Sequence, residues 1–245
     1  MVRRLVATAG IGLAVALAAA AAASSFPRFG SGCARADFRS GGVTVRAERC
    51  GPASGSHAVI VLHGCGGFDT FDHRLTTTLP GYGISTLDVD YFGPTPPPGT
   101  KGFCNAFPRG TDTFATWVQV AVDAATSLHA RFKHVGAVGW SLGAGVVIAA
   151  AEDRRPFAAL AAFSAFGFGQ ALDRASLLPP SIFLDGGTRD IVPPSNARAL
   201  YAAAKGAHVP TALYIYGNGT HGWPGAQGTA GISRAAAFLA RYLGK

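Results

Sequence analysis

The sequence predicts an α/β fold, in which a mostly parallel, doubly wound sheet carries helices on both faces. The first observation is composition, since 49% of the 245 residues are hydrophobic and only 14% are charged. Such a balance is typical of a chain that buries a sizeable core. The second is alternation, because short apolar runs are separated by stretches with helical spacing. Alternating strands and helices favour a parallel sheet.

The predicted elements follow one another without a long linker or an internal repeat. Strands are predicted at 58–62, 84–90, 135–139, 157–163, 182–184 and 213–216, and 43–49 is a candidate for an additional first strand. Helices are predicted at 111–132, 142–151, 195–204 and 232–243. The Pro-rich piece at 94–98 predicts a loop that is too short to separate two domains.

Residues 1–25 have the pattern of a signal peptide. Arg3 and Arg4 precede an Ala-rich apolar run, and small residues end at Ser24. We expect this segment to be cleaved, which predicts a single domain at 26–245 that is secreted or periplasmic. An uncleaved membrane anchor is the alternative, because the run approaches the about 20 residues that span a bilayer. Stable membrane association is expected only in that case.

Charge and motif content limit the expected partners. The formal net charge is +8, to which Arg3 and Arg4 contribute two. The other basic residues are scattered and do not alternate with aromatic residues, so no nucleic-acid partner is expected. The chain has no C-x-x-C spacing, and we expect neither a metal nor a cofactor. The oligomeric state is left open.

Four cysteines follow the predicted signal peptide, and an even number in an exported protein favours two disulfides. Three pairings are possible. We prefer Cys33–Cys50, which would staple the N-terminal arm, and Cys65–Cys104, which would join two loops at one edge of the sheet. The alternative is four free, buried thiols.

The strongest chemical signal is Gly139-Trp140-Ser141-Leu142-Gly143, which matches G-x-S-x-G. A predicted strand leads into it and a predicted helix leads out, the context in which a sharp turn exposes a nucleophilic serine. We therefore predict Ser141 as the nucleophile, rather than as a residue that only caps the helix.

A serine nucleophile needs a base, which an acid orients. In this strand–turn–helix context the base follows the serine in the chain, after the end of a late strand. His63 precedes the serine and His208 lies before a strand, whereas His221 follows the last predicted strand. His221 is therefore the predicted base. Asp185 and Asp190 both follow the strand at 182–184. We predict Asp190, because Asp185 sits at the strand end, where a carboxylate commonly caps a turn.

Backbone amides and aromatic side chains complete the predicted site. The oxyanion donors are expected to be the Leu142 amide and the amide of Cys65, with Gly66 as the next candidate. An apolar acyl pocket, or ordinary core packing, would explain five aromatic residues near these motifs. These are Trp140, Trp223, Tyr91, Phe92 and Phe103.

Together, the motifs at 63–68, 90–94, 139–143, 185–193 and 220–222 resemble the dienelactone hydrolase family of α/β-hydrolases. The resemblance covers most of the chain from about Val43 onward, and the Cys-bearing 63–68 loop looks like exported members. It implies an α/β-hydrolase fold without a large cap domain, and hydrolysis of esters or lactones without a cofactor.

Two departures from the family favour a general small-molecule ester over dienelactone itself. The founding enzymes use Cys where this chain has Ser141, and they bind the substrate carboxylate with arginines that this chain lacks around Phe92 and directly after His221. The run that begins at His221 also looks like polyester and feruloyl-type esterases. A non-catalytic binding protein on the same scaffold is the remaining alternative.

Overall fold

The structure is a computed structural model that describes residues 32–96, 102–104, 111–166 and 172–244. The signal peptide predicted at 1–25 lies outside these ranges. The strands are β1 (Cys33–Arg35), β2 (Phe38–Ser40), β3 (Val43–Val45), β4 (Ala47–Cys50), β5 (Gly55–Leu62), β6 (Ser85–Val89), β7 (Phe132–Trp140), β8 (Leu160–Phe163), β9 (Ser181–Asp185) and β10 (Thr211–Ile215). The helices are α1 (Thr70–Thr78), α2 (Thr111–His129), α3 (Leu142–Arg154), α4 (Pro194–Gly206) and α5 (Gly225–Tyr242). Short 3₁₀ helices lie at Leu79–Tyr82 and Ala175–Leu177.

Eight strands form one sheet in the order β1-β4-β6-β5-β7-β8-β9-β10. The pairs β1–β4 and β4–β6 are antiparallel, and the pairs from β6 to β10 are parallel. Strands β2 and β3 form a separate antiparallel pair. This mostly parallel sheet with helices confirms the predicted fold class.

Helices cover both faces of the sheet because the buried strands have apolar residues on both sides. In β5, Ile60 and Leu62 belong to the core layer that α2, α3 and α4 cover, whereas Val59 and Val61 belong to the layer that α1 and α5 cover. Alternating side chains of one strand therefore pack against different helices. All four side chains are fully buried.

Several boundaries differ from the sequence prediction. Helix α2 ends at His129, and Phe132 begins β7, because Phe132 pairs with Gly55 of β5 and its side chain is buried. The run at 43–49 forms two strands, since Val43–Val45 pairs with β2 while Ala47–Cys50 joins the main sheet. Helix α5 begins seven residues before the predicted 232, at Gly225.

Helix α1 was not predicted, because Thr77 and Thr78 weaken its helical pattern. A capping box starts it: the Asp69 carboxylate accepts hydrogen bonds from the amides of Phe71 and Asp72, and the Asp72 side chain accepts one from the Asp69 amide. Reciprocal capping satisfies backbone donors that a helix start otherwise leaves unpaired. Tertiary packing of Phe71 and Leu75 then holds the helix on the sheet.

Two disulfides are present, in the pairing that the sequence analysis preferred. Cys33 and Cys50 face each other across the antiparallel β1–β4 pair. Cys65 and Cys104 join the loop after β5 to the short turn at 102–104. Within the described ranges, no helix combines the length and the apolar character that crossing a membrane needs.

Candidate active site

Ser141 occupies a sharp turn between β7 and α3, and it is the single residue between them. Its backbone has φ 54° and ψ −117°, a conformation that costs free energy for a residue with a side chain. A Cβ on Gly139 would clash with the backbone of Gly143 and Ala144, and one on Gly143 would clash with the carbonyls of Leu62 and His63. Both glycines are therefore required for the turn that presents Ser141.

Three side chains form a continuous hydrogen-bonded chain. The Ser141 Oγ lies 2.9 Å from His221 Nε2, and His221 Nδ1 lies 2.7 Å from Asp190 Oδ1. The residues come from loops that follow β7, β10 and β9, which are parallel strands whose carboxyl ends share one edge of the sheet. The structure thus brings together the three residues that the sequence analysis predicted as the triad.

The Asp190 carboxylate accepts three hydrogen bonds besides the one from His221. The Ser164 hydroxyl lies 2.6 Å and the Gly186 amide 3.1 Å from Oδ2, and the Val192 amide lies 2.9 Å from Oδ1. Burial alone would raise the pKa of Asp190, but hydrogen bonds from His221, Ser164 and Val192 hold it below its usual value. Asp190 is therefore ionised at neutral pH.

Asp185, the alternative acid, caps a turn as expected. Its Oδ1 accepts a hydrogen bond from the Gly187 amide at 2.8 Å, and its side chain is fully buried. Burial raises the pKa of Asp185 to about 6. Asp185 shapes the start of the loop, whereas Asp190 at the far end of the loop accepts the hydrogen bond from the His221 ring.

Hydrogen bonds from three other side chains hold the loop that carries His221 in place. The Trp140 indole Nε1 donates to the His221 carbonyl at 3.0 Å, and the Gln227 side chain bonds both the amide and the carbonyl of Thr220. Arg74 of α1 donates to the Trp223 carbonyl at 3.0 Å. The sequence analysis missed Gln227, Arg74 and Ser164, although Ser164 directly follows β8 and strand ends are where such residues collect.

The residues expected to supply the oxyanion amides lie on two neighbouring backbone segments. The Leu142 amide is in the first turn of α3, where amides have no acceptor within the helix. The Gly64–Gly67 turn, which holds Cys65 and Gly66, is closed by a 3.1 Å hydrogen bond. The Cys65 carbonyl accepts from the Phe103 amide at 2.7 Å, and the Cys65 disulfide adds a covalent tie. The packing of Gly143 on His63 places this turn next to the start of α3.

The structure distinguishes the two interpretations of the five aromatic residues, an acyl pocket or ordinary core packing. Tyr91 and Trp223 have no exposed surface, and each donates a hydrogen bond within the core, which favours core packing over an open pocket for these two. Phe92 and Phe103 are also buried and pack against Trp117. Trp140 differs from them, since its ring centroid lies 5.2 Å from that of His221.

His63 is a buried structural residue, in agreement with its assignment to the loop. Its ring contacts those of Phe68, Tyr91 and Phe92, and its Nδ1 lies 2.8 Å from the Gly64 carbonyl. Burial lowers the pKa of His63 to about 4, so the ring is neutral and its Nδ1–H donates.

The turn at Ser141, the strand-end loops and the Ser–His–Asp hydrogen bonds define this protein as an α/β hydrolase. The family model of the dienelactone hydrolase family matches residues 46–241. The chain therefore belongs to the dienelactone hydrolase family, and it is a carboxylic ester hydrolase.

Similar solved structures share the fold. A dienelactone hydrolase from Anabaena variabilis has 18% identity and a TM-score of 0.68, covering 86% of this chain and 98% of its own. An esterase from Pyrococcus furiosus has 17% identity and a TM-score of 0.68, with 86% and 93% coverage. A cold-adapted esterase from an Arctic intertidal metagenomic library has 19% identity and a TM-score of 0.62, also with 86% and 93% coverage. A search of curated proteins found no match.

The buried His63 predicts a pH-dependent stability. The unfolded chain protonates this histidine near pH 6.5 and the folded chain only near pH 4, so protons favour unfolding between these values. As the pH falls through this window, the free energy of unfolding should drop by about 3 kcal/mol on account of His63. Urea unfolding of wild type and His63→Phe, at neutral pH and at about pH 4.5, measures the difference.

His129→Gln, which changes an exposed histidine at the end of α2, is the matched control. The pH slope of His63→Phe should be smaller than that of the wild type and of the control. Equal slopes in all three proteins would contradict the assignment of a neutral, buried His63.

Proposed function

We propose that this chain hydrolyses carboxylic esters or lactones through a Ser141–His221–Asp190 triad and an acyl-enzyme. The observation that carries the proposal is the hydrogen-bonded chain from the Ser141 hydroxyl, through both ring nitrogens of His221, to the ionised Asp190. These hydrogen-bonded side chains lie at the carboxyl ends of the parallel strands. This position supports the proposal, because ligands of such folds bind there.

The reaction begins when Ser141 Oγ attacks the ester carbonyl carbon while its proton passes to His221 Nε2. The amides of Leu142 and Cys65, or of Gly66, stabilise the oxyanion. The tetrahedral intermediate then collapses, the C–O bond to the alcohol breaks, and His221 returns the proton to the leaving oxygen. Water, deprotonated by His221, attacks the acyl-enzyme in the same way and releases the acid and a free Ser141.

Asp190 acts by stabilising the imidazolium that forms in both steps. Its charge lies 2.7 Å from His221 Nδ1, and this contact also selects the ring tautomer that leaves Nε2 free to accept the serine proton. Because hydrogen bonds keep Asp190 ionised, the charge is in place before the reaction begins. No reorganisation is then needed when the positive charge develops.

Uncharged esters with an apolar group suit the surroundings of Ser141 best. The amide of Phe166 donates to the Ser141 carbonyl at 3.1 Å, and Phe166 is 48% exposed. Ile191, next to Asp190, is 79% exposed. Exposed apolar side chains on the loops that carry a catalytic site provide contact for an apolar acyl or alcohol group. Bulky esters of the polyester or feruloyl type therefore belong in a substrate screen with simple esters of graded chain length.

Export completes the proposal: residues 1–25 are removed and 26–245 form one secreted or periplasmic domain. The two disulfides support an oxidising compartment.

The mass of the exported protein tests this processing. After expression in a bacterial host, the protein from the periplasm or medium should have the mass of a chain that starts near residue 26. Full-length mass in the membrane fraction would instead show an anchor, and full-length mass in the cytoplasm would show that no export occurs.

Ser141→Ala tests the nucleophile. Without the hydroxyl no acyl-enzyme forms, so the kcat for p-nitrophenyl acetate should fall by about 10⁴-fold or more, while the fold is retained. The wild type should react with a fluorophosphonate at Ser141, and the variant should not. Turnover at the wild-type rate in Ser141→Ala would exclude the proposed mechanism, and a wild type without activity or labelling would favour a binding protein.

Asp190→Asn and Asp185→Asn form a matched pair that tests the acid. The Asp190→Asn change removes the charge and permits the wrong imidazole tautomer, so kcat should fall by about 10³- to 10⁴-fold. The Asp185→Asn change retains an oxygen that can accept the Gly187 hydrogen bond, so most of the activity should remain. Comparable kcat values for p-nitrophenyl acetate in the two variants, or a larger loss in Asp185→Asn, would contradict the assignment of Asp190.

A further inference from the structure

A second series of hydrogen bonds reaches Asp190 at Oδ2, the carboxylate oxygen that does not bond to His221. The Trp223 indole Nε1 lies 3.0 Å from the Ser164 Oγ, and the Ser164 Oγ lies 2.6 Å from Asp190 Oδ2. Because an indole N–H can only donate, the Ser164 oxygen accepts from Trp223 and its single proton points to Asp190. The direction of both hydrogen bonds is thereby defined.

We propose that Ser164 is a positioning residue for the triad, and that Trp223 fixes the direction of its hydroxyl. This inference rests on the proposed function. Ser164 holds Oδ2 of the carboxylate so that Oδ1 stays in line with His221 Nδ1. It acts through Asp190, since its side chain is fully buried and has no surface that a substrate could touch.

The position of Ser164 in the sheet suits this role. It directly follows β8, which lies between β7 with the nucleophile and β9 with the acid. The Ser164 amide donates to the Leu184 carbonyl at 2.7 Å, and the Ser141 amide donates to the Phe163 carbonyl at 2.8 Å. Backbone hydrogen bonds thus tie the end of β8 to both neighbouring strand ends.

Backbone strain is concentrated in the same residues. Among the described residues, five that are not glycine have positive φ, and three of these are Ser141, Ser164 and Trp223. Such conformations are unfavourable and persist where surrounding contacts hold them. For Trp223 those contacts are the rings of Phe71 and Phe163, with centroids 5.8 Å and 5.0 Å from its own.

Trp223 also links the Trp223–Ser164–Asp190 hydrogen bonds to the base, because Trp223 lies two residues after His221. The loop that delivers the imidazole therefore delivers the indole donor too. Removal of the Ser164 hydroxyl would leave Oδ2 with the Gly186 amide alone, at 3.1 Å, and the carboxylate could then turn away from His221. The loss should appear in kcat and not in KM, because substrate binding does not involve Ser164.

The test compares Ser164→Ala with Ser181→Ala. Ser181 is also fully buried, and its hydroxyl donates to the Pro179 carbonyl at 2.7 Å, but it lies at the start of β9, at the opposite edge of the sheet. With p-nitrophenyl acetate, Ser164→Ala should lower kcat by about 10- to 100-fold with KM unchanged. Ser181→Ala should retain the wild-type kcat. Ser164→Gly, which relieves the positive φ but lacks the hydroxyl, should lose as much activity as Ser164→Ala.

A double-mutant cycle separates positioning from a general structural effect. In an Asp190→Ala background there is no carboxylate to orient, so Ser164→Ala should change kcat by less than about twofold. An equal fall in both backgrounds, or an equal fall in Ser181→Ala, would overturn the inference. Loss of activity in Ser141→Ala with an unchanged kcat in Ser164→Ala would overturn this inference alone. Retained activity in Ser141→Ala would overturn the proposed function and this inference with it.

Discussion

The hydrogen bond between His221 and Asp190 depends on parallel strands that end at the same edge of the sheet. Strands β7, β8, β9 and β10 are adjacent and parallel, so the residues that follow them converge although they are far apart in the chain. The register of the strands matters as much as their order, because Ile215 pairs with Asp185 and thereby brings the loops that carry His221 and Asp190 together. A shift of one residue would reverse the side-chain directions along β10.

Close backbone packing converts this convergence into a defined geometry. The absence of a side chain at Gly143 lets the start of α3 rest on the end of β5, which places the Ser141 turn beside the Cys65 loop. This packing costs free energy, because the backbone of Ser141, Ser164 and Trp223 has a strained, positive φ. The buried aromatic cluster around Phe71 and the capped helix α1, whose Arg74 binds the Trp223 carbonyl, offset that strain by fixing the loop.

Sequence patterns were sufficient for the fold class and for the convergence of Ser141, Asp190 and His221, because strand–helix alternation and strand-end position are local signals. Helix α1 could not be predicted so easily, since its Thr-rich sequence depends on capping and on packing against the sheet. Trp223 shows a different limit. By composition, an aromatic residue two positions after the predicted base fits a pocket or a core equally well, and only its burial and its hydrogen bond to Ser164 distinguish the two. The importance of Ser164 likewise depends on contacts across 26 residues of sequence.

The division between buried aromatic residues and exposed apolar residues separates the geometry of the proposed triad from the proposed substrate contacts. Trp223 and Tyr91 are fully buried. Changing them would therefore disturb the hydrogen bonds that hold the His221 and His63 segments. Phe166 and Ile191 are exposed on loops beside Ser141 and Asp190. Under the proposed function, substitutions at these loop positions would alter contact with the acyl or alcohol group, while the buried hydrogen bonds from Trp223 to Asp190 stay intact. Substrate preference could therefore change without a change in the arrangement that we propose activates Ser141.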